Sequence, residues 1–380
     1  MLSTTAKLKI MTIVGTRPEI IRLSRTMALL DKYTQQIIVH TGQNYDYELN
    51  EVFWTDLELR KPDHFLNVDV TSLGATIGDI MRKSEEVMRL EKPDAVVVLG
   101  DTNSCLTAYI AKRLRIPVFH MEAGNRSFDF NVPEEINRRI IDHIADFNLV
   151  YTEHARRHLI SEGLPHRRIY LTGSPMKEVL DYYMERIKKS NILNNLNLQA
   201  KSYFVVSTHR EENVDAPENL RKIIGILNQL AEQYNVPVIV STHPRTRKRI
   251  AELSDVVLDS RVQYLKPFGF LDYVNLQMNA MCTISDSGTI SEESAMLSFP
   301  AISLRQSMER PEAQDAGTII LTGFNPDVVI NAIETVIEEF KINGKYSAIA
   351  EDYTITNTSW RVLKLILGNT KLSNKWWGIN

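Results

Sequence analysis

Two cysteines in 380 residues, Cys105 and Cys282, are too few and too far apart for a disulfide framework, and neither has the neighbours of a zinc site. A reducing compartment, the cytoplasm, is the expected location. No segment approaches the ~18 uninterrupted apolar residues that cross a bilayer, and residues 1–9 carry no apolar stretch ending in a small-residue cleavage site. An excess of charge of one sign is missing as well. Lys and Arg number 44 against 47 Asp and Glu, a net charge of -3, which supplies no global pull toward nucleic acid or an anionic membrane. Internal repeats and low-complexity tracts are absent. What is present is ordinary for a soluble globular protein: 43% hydrophobic and 24% charged residues. At roughly 150 residues per domain, the length corresponds to two or three domains.

Short apolar runs at 8–14, 36–40, 95–99 and 117–121 alternate with longer amphipathic stretches such as 19–30, a rhythm that predicts βαβ units. The run Ala-Val-Val-Val-Leu at 95–99 is continuous rather than alternating, as in a parallel sheet covered on both faces. A second series, at 203–207, 237–241, 282–285, 301–304 and 318–321, repeats the pattern. The expected fold is α/β, with two Rossmann-like domains facing a cleft, at 1–180 and 200–355. The boundary is placed in 176–200, where the sequence turns polar and rich in Asn and Lys. In 356–380, Trp360, Leu363, Ile366 and Leu367 recur at helical spacing and predict a helix packing across that boundary. Ligands of open α/β sheets sit beyond the carboxyl ends of the strands, so the residues just after each apolar run are the ones to inspect.

After the first run comes Gly15-Thr16-Arg17-Pro18-Glu19, a turn into a helix that offers unpaired N–H groups and a guanidinium to phosphate. A plain βα turn with a solvated Arg17 is the simpler reading. The dinucleotide fingerprint G-x-G-x-x-G is absent, so nicotinamide binding gains no support. Carboxylates follow the later runs: Asp101 in Gly100-Asp101-Thr102, Glu122 in His120-Met121-Glu122-Ala123-Gly124, and Glu134 in Pro133-Glu134-Glu135. Asp101 reads equally as a helix N-cap and Glu134 as a first-turn acid. Glu122 has no such duty, and acids gathered at strand ends suit proton transfer. In the second half, His209 and Arg210, then His243 and Arg245, follow equivalent runs and suit a diphosphate. Neither histidine has metal-site spacing, and no metal is expected. Ser285-Asp286-Ser287-Gly288-Thr289 turns a buried run into a helix; its amides and the Ser287 hydroxyl suit phosphate, and Glu293 suits ribose hydroxyls. Ser287 as a simple helix cap is the alternative. Arg310, in Glu309-Arg310-Pro311-Glu312, points to the same edge or fills the surface.

In this order, Gly15-Thr16-Arg17-Pro18-Glu19, Gly100-Asp101-Thr102, Glu122-Ala123-Gly124, Pro133-Glu134-Glu135, Thr208-His209-Arg210, Asp286-Ser287-Gly288, Glu292-Glu293 and Glu309-Arg310-Pro311-Glu312 resemble the non-hydrolysing UDP-N-acetylglucosamine 2-epimerases. The resemblance runs from the first strand past Gly323. It implies the glycosyltransferase-B fold, a homodimer, and a reaction without nicotinamide, metal or other cofactor. Thr41-Gly42-Gln43-Asn44-Tyr45-Asp46, Asp101-Thr102-Asn103-Ser104-Cys105, His209-Arg210-Glu211-Glu212-Asn213 and Lys266-Pro267-Phe268-Gly269-Phe270 are similar to a branch of that family. Its members convert UDP-2-acetamido-2,6-dideoxy-L-talose to UDP-N-acetyl-L-fucosamine for capsule and O-antigen. Against the commoner pattern, Arg22 stands for Lys, Asn44 for His, Glu211 for Arg, Thr289 for Gly and Ser291 for Gln. Asn44 and Glu211 fall in segments that form an activating second UDP-GlcNAc site in some relatives, which argues against that role here. The Thr289 amide is expected to remain available to phosphate.

The resemblance also implies a chemistry. H2 of a sugar is not acidic, so the family eliminates UDP from C1, removes H2 to leave a 2-acetamidoglycal, and adds UDP back with protonation from the other face. Asp101, Glu122, Glu134 and His209 carry over as the catalytic group, the three carboxylates as acid and base without assignment between them. Arg17, Arg22, Arg138, Tyr273, Ser287, Gly288, Thr289, Glu293 and Arg310 carry over as substrate-binding residues. Arg138 orients a carboxylate or forms an i, i+4 surface pair with Glu134. The rival readings are a UDP-GlcNAc epimerase making UDP-ManNAc, a UDP-sugar glycosyltransferase, and an idle sugar-nucleotide sensor.

Overall fold

The computed structural model describes residues 7–42, 54–208, 215–242, 244–253 and 255–379. The chain divides into two compact units, Met1–Asp181 with Thr354–Asn380, and Tyr182–Tyr353. The first holds seven strands, β1 (Lys9–Val14), β2 (Gln35–His40), β3 (His64–Phe65), β4 (Ala95–Leu99), β5 (Val118–Ala123), β6 (Phe147–Val150) and β7 (Ile169–Leu171), in the order β3-β2-β1-β4-β5-β6-β7; the second holds six, β8 (Phe204–Ser207), β9 (Val238–Ser241), β10 (Val262–Leu265), β11 (Cys282–Ser285), β12 (Ala301–Ser303) and β13 (Ile320–Leu321), in the order β10-β9-β8-β11-β12-β13. All pairings are parallel. This is an α/β fold of two doubly wound, Rossmann-like sheets. In each, strand order reverses beside the first strand, so the loops after β1 (Lys9–Val14) and β4 (Ala95–Leu99), and after β8 (Phe204–Ser207) and β11 (Cys282–Ser285), flank a switch point. Such points are where open α/β sheets take ligands.

Alternate residues of each strand serve opposite faces. In the first unit Met11, Ile13, Val96 and Val98 pack with Ile80, Met88, Ala108 and Ile141 from three helices on one side. In the second, Phe204, Val206, Val238 and Ile284 meet Ile223, Leu227, Val329 and Ile333, while Tyr203, Val205 and Ile239 meet Leu276 and Ile192 on the other face. Burial on both sides explains the unbroken apolar runs. Four strands escaped that pattern: β3 (His64–Phe65), β6 (Phe147–Val150), β7 (Ile169–Leu171) and β10 (Val262–Leu265). Three of them, β3, β7 and β10, lie at sheet edges, where one flank needs no apolar cover.

The polar stretch 176–200 is not extended linker. Pro175–Lys188 forms a helix in which Met176, Val179, Leu180, Tyr183 and Ile187 are buried at helical spacing. Its charged outer face hid this stripe. The terminal helix runs Thr358–Trp376, longer than periodicity indicated, and belongs to the first unit. Val362, Leu363 and Ile366 are its buried face, whereas Trp360 and Leu367 are exposed. It lies against the helix Arg17–Tyr33. The Thr358 hydroxyl donates to the Thr172 carbonyl (3.0 Å), the Ser359 amide to Glu178 (2.8 Å), and the Arg168 guanidinium sits 3.8 Å from the Trp377 ring. Among the described residues no helix is long and apolar enough to cross a membrane, and no group of three or more His, Cys, Asp or Glu is placed to hold a metal ion.

Candidate active site

In the turn after β1, Glu19 is buried and binds back to its own loop. Its Oε2 accepts from the amides of Gly15 (2.7 Å) and Thr16 (2.6 Å), and its Oε1 from the Thr102 hydroxyl (2.7 Å). The two amides expected to cradle phosphate are thus committed to Glu19, which staples the β1 turn to the β4 turn. Burial pushes this carboxyl above its ordinary range against the pull of those four donors, the Thr16 hydroxyl being the fourth. Arg17 starts the helix Arg17–Tyr33 half-buried. Further along the same helix Arg22 pairs with Glu122.

Glu122 occupies a position few side chains adopt. It sits where β5 (Val118–Ala123) loses register with β6 between Met121 and Ala123, with φ of 66° in the left-handed region. A bulge there turns the carboxylate out of the sheet. Only 8% of the residue is exposed, Asn125 Nδ2 donates to Oε1 (3.4 Å), and Oε2 lies 3.6 Å from where a Cβ on Gly100 would stand. Asp101, just beyond β4, is not a helix cap; the short helical turn Asn103–Leu106 begins after Thr102. Instead Asp101 is gripped by Arg138, whose Nε donates at 3.0 Å and whose Nη2 makes a second contact. Arg138 is 4% exposed and also donates to Glu135 (3.2 Å), so it is a buried group holding carboxylates rather than a surface one. Glu134 is exposed in the first turn of the helix Pro133–Ile144. Its neighbour Glu135 is fully buried and accepts from the Ser127 amide and hydroxyl, both at 3.0 Å. Beneath these groups the Cys105 thiol is pushed far up, by burial first and then by the charges of Glu19, Asp101 and Glu122. Three acids therefore converge at the switch point of the first unit, and two of them are each bound by an arginine.

The second unit gathers hydroxyls at its own switch point. Ser287 N donates to Ser285 Oγ (3.1 Å), Ser287 Oγ is 2.9 Å from Thr289 Oγ1, and the Thr289 amide donates to Ser287 Oγ (3.3 Å). The Thr289 amide expected to serve phosphate is engaged inside the turn. Thr289, not Ser287, is the N-cap of the helix Ile290–Leu297. A Cβ on Gly288 would lie 2.9 Å from Glu309 Oε2, and Glu309 in turn accepts from Arg305 (2.8 Å). Glu293 accepts from Gln277 (2.9 Å). Tyr273, on the helix Phe270–Asn279, has its phenol pushed well up by burial and by the charges of Glu293 and Asp286, while a bond with Ser207 opposes the shift. Arg310 is no surface filler: it is 2% exposed and its Nε lies 2.5 Å from Glu292 Oε1. His209, Glu211, Asn44 and His243 lie outside the described residues.

Sequence reasoning missed Glu19, Glu135 and Asp142. Thr16-Arg17-Pro18-Glu19 has the capping-box spacing that would have found the first. The other two are charged residues on the buried stripe Glu135, Arg138, Ile141, Asp142 of the helix Pro133–Ile144. A charge where an apolar residue belongs is itself a signal.

Residues 28–367 match the family model described as UDP-N-acetylglucosamine 2-epimerase. A UDP-N-acetylglucosamine 2-epimerase structure from Rickettsia bellii has 48% sequence identity and a TM-score of 0.90, covering 98% of this chain and 100% of that one. The enzyme of Methanocaldococcus jannaschii, solved with UDP-GlcNAc and UDP, has 34% identity and a TM-score of 0.87, with 95% and 99% covered. A UDP-2,3-diacetamido-2,3-dideoxy-D-glucuronate 2-epimerase of Pseudomonas aeruginosa is 34% identical over 335 residues, 86% of this chain and 92% of its own length. With a family model spanning most of its length and arginine-bound carboxylates at its strand ends, the chain belongs to the UDP-N-acetylglucosamine 2-epimerase family of sugar-nucleotide isomerases.

Proposed function

We propose that this protein converts UDP-2-acetamido-2,6-dideoxy-L-talose to UDP-N-acetyl-L-fucosamine, a precursor for capsule or O-antigen, as a cytoplasmic homodimer. The observation that carries C2 chemistry is Glu122, a nearly buried carboxylate on a left-handed bulge, paired with Arg22. UDP leaves C1 as H2 is removed, and the 2-acetamidoglycal is protonated at C2 from the opposite face as UDP returns. Inversion requires two acid–base groups in different positions. Asp101 and Glu122, supported by Arg138 and Arg22 from different helices, meet that requirement. Glu134 and His209 complete the catalytic set. Arg17, Tyr273, the Ser287-Gly288-Thr289 turn and Arg310 act on the diphosphate and sugar, and Glu293 on the ribose.

The 6-deoxy substrate is supported by the branch-like segments and by Arg22, Thr289 and Ser291 in place of the commoner residues. Relatives named for UDP-N-acetylglucosamine favour UDP-GlcNAc as the second reading, and the Pseudomonas protein is named for a third UDP-sugar. Proton NMR in deuterated water, with each of the first two substrates and no acceptor, separates them. Conversion of the talose derivative with deuterium at C2 is the expected result; conversion of UDP-GlcNAc alone moves the function to UDP-ManNAc, and no exchange rejects epimerisation. Glu122→Gln is expected to lower kcat at least about 100-fold while UDP affinity and fold are kept, and wild-type turnover in that variant would remove Glu122 from the mechanism. Dimerisation is supported by exposed apolar groups around Arg139, namely Phe128, Phe130, Ile136 and Ile140. Light scattering at micromolar concentration should give twice the 43.5 kDa chain mass.

A further inference from the structure

A left-handed glutamate needs something to hold it there, because φ near +60° is unfavourable for any residue with a Cβ. Arg22 and Asn125 touch the Glu122 carboxylate. The constraint comes from the two residues that flank it at i−2 and i+2. His120 is completely buried, with Nε2 2.8 Å from the Gly100 carbonyl and Nδ1 2.9 Å from Asp142 Oδ1, a close approach without the alignment of a hydrogen bond that becomes an ion pair when the ring is protonated. Gly124, itself at φ of 81°, donates its amide to both Asp142 oxygens, each at 3.2 Å. Asp142 Oδ2 also accepts from Arg126 Nη1 at 2.7 Å. One carboxylate with no solvent exposure thus grips the chain on either side of Glu122. Arg126 is also bound on its far side by Glu162 at 2.8 and 2.7 Å.

We propose that Asp142 is a positioning residue for the reaction: by clamping His120 and the Gly124 amide it fixes the bulge of β5 and the left-handed backbone that aims Glu122. The inference rests on the catalytic reading of Glu122 given above. A carboxylate suits the site because the Gly124 amide and the Arg126 guanidinium both donate to it, and a protonated His120 ring would pair with its charge. The Asp142→Asn change removes the charge that Arg126 and the His120 ring face and leaves a single side-chain oxygen to accept from Gly124 and Arg126, which loosens the clamp. The backbone of Glu122 is then free to leave the left-handed region, and its carboxylate moves by more than proton transfer tolerates.

Two readouts on the full chain test this. A crystal structure of Asp142→Asn should show Glu122 outside the left-handed region; φ within about 20° of 66° would overturn the clamp, whatever the kinetics. Kinetics with UDP-2-acetamido-2,6-dideoxy-L-talose and with UDP-GlcNAc should show kcat down about 10-fold or more with KM within about 3-fold, and Asp142→Asn should add little in a Glu122→Gln background. Full kcat, or a loss matched by the unfolded fraction, would also overturn it. Glu162→Gln, which loosens only the outer end of the network, should lower the melting temperature and keep kcat. If Asp142→Asn does not fold, His120→Gln serves, since its amide can reach Gly100 but not Asp142; kcat equal to wild type in that variant rejects the clamp. Full activity of Glu122→Gln would instead reject the catalytic reading, leaving the crystallographic result to judge the clamp alone.

Discussion

Gly124 shows how narrowly the residues around Glu122 are constrained. A Cβ there would stand 2.4 Å from the Ala155 carbonyl oxygen, and its φ of 81° disfavours any side chain. Gly124→Ala is therefore expected to cost more than about 2 kcal/mol in urea unfolding, and to reduce kcat in the remaining folded protein. Asp101 and Glu122 could be picked out from the sequence because each closes a largely apolar run, and strand ends are where a polar residue has no packing duty. The arginines that bind them could not be assigned, since Arg22 and Arg138 come from helices with other plausible partners in sequence. Arg138 in particular has Glu134 four residues away and Glu135 three away, and only the burial of one face reveals that it grips Glu135 and Asp101. Arg310 had the same ambiguity, and its burial against Glu292 depends on where the following helix Pro311–Asp315 starts.

At the level of elements, the helix Pro133–Ile144 carries charge on its inner stripe and apolar groups, Ile136 and Ile140, on its outer one. Helical periodicity read by hydrophobicity alone would turn such a helix the wrong way. Its inner charges end in a network at Glu162, whose carboxyl is drawn down to about 2 by hydrogen bonds from Arg126, with His143 and Arg139 nearby, against the cost of burial. The folded value lies below the ordinary 4.5, so folding takes up stability from this group only when it is ionised. That contribution is complete above pH 4.5 and is lost as pH falls through about 2. Glu162→Gln should accordingly flatten the fall of melting temperature across this window, as followed by circular dichroism, and leave the midpoint slope near pH 7 unchanged. Most central strands were legible as apolar runs, whereas the edge strands β3, β7 and β10, and the central β6, whose run Asn148 interrupts, were not. The helix Pro175–Lys188 was obscured for the opposite reason, because eight of its fourteen residues face outward or only partly inward and set the composition that the eye reads.

For the molecule as a whole, two sheets with the same order of reversal give two switch points, one lined by carboxylates and the other by hydroxyls and a half-buried tyrosine. Alternation of runs was enough to anticipate two doubly wound sheets. It could not show which sheet the terminal helix serves, since a stripe of apolar residues names no partner. That helix buries Val362, Leu363 and Ile366 in the first unit, and Leu363→Ala should cost about 2–4 kcal/mol, read as a shift of the first unit's unfolding midpoint in urea. The return is fitted closely: a Cβ on Gly173 would stand 2.7 Å from the Ile355 side chain, just before the helix begins. This arrangement sets an order for synthesis. Residues 1–181 leave the ribosome first, yet the helix that covers part of their core is made only after all of 182–353. The sheet bearing Asp101 and Glu122 is thus the earlier to be made and the later to be finished, and a nascent chain has its hydroxyl-lined half available before its acid–base half is stable.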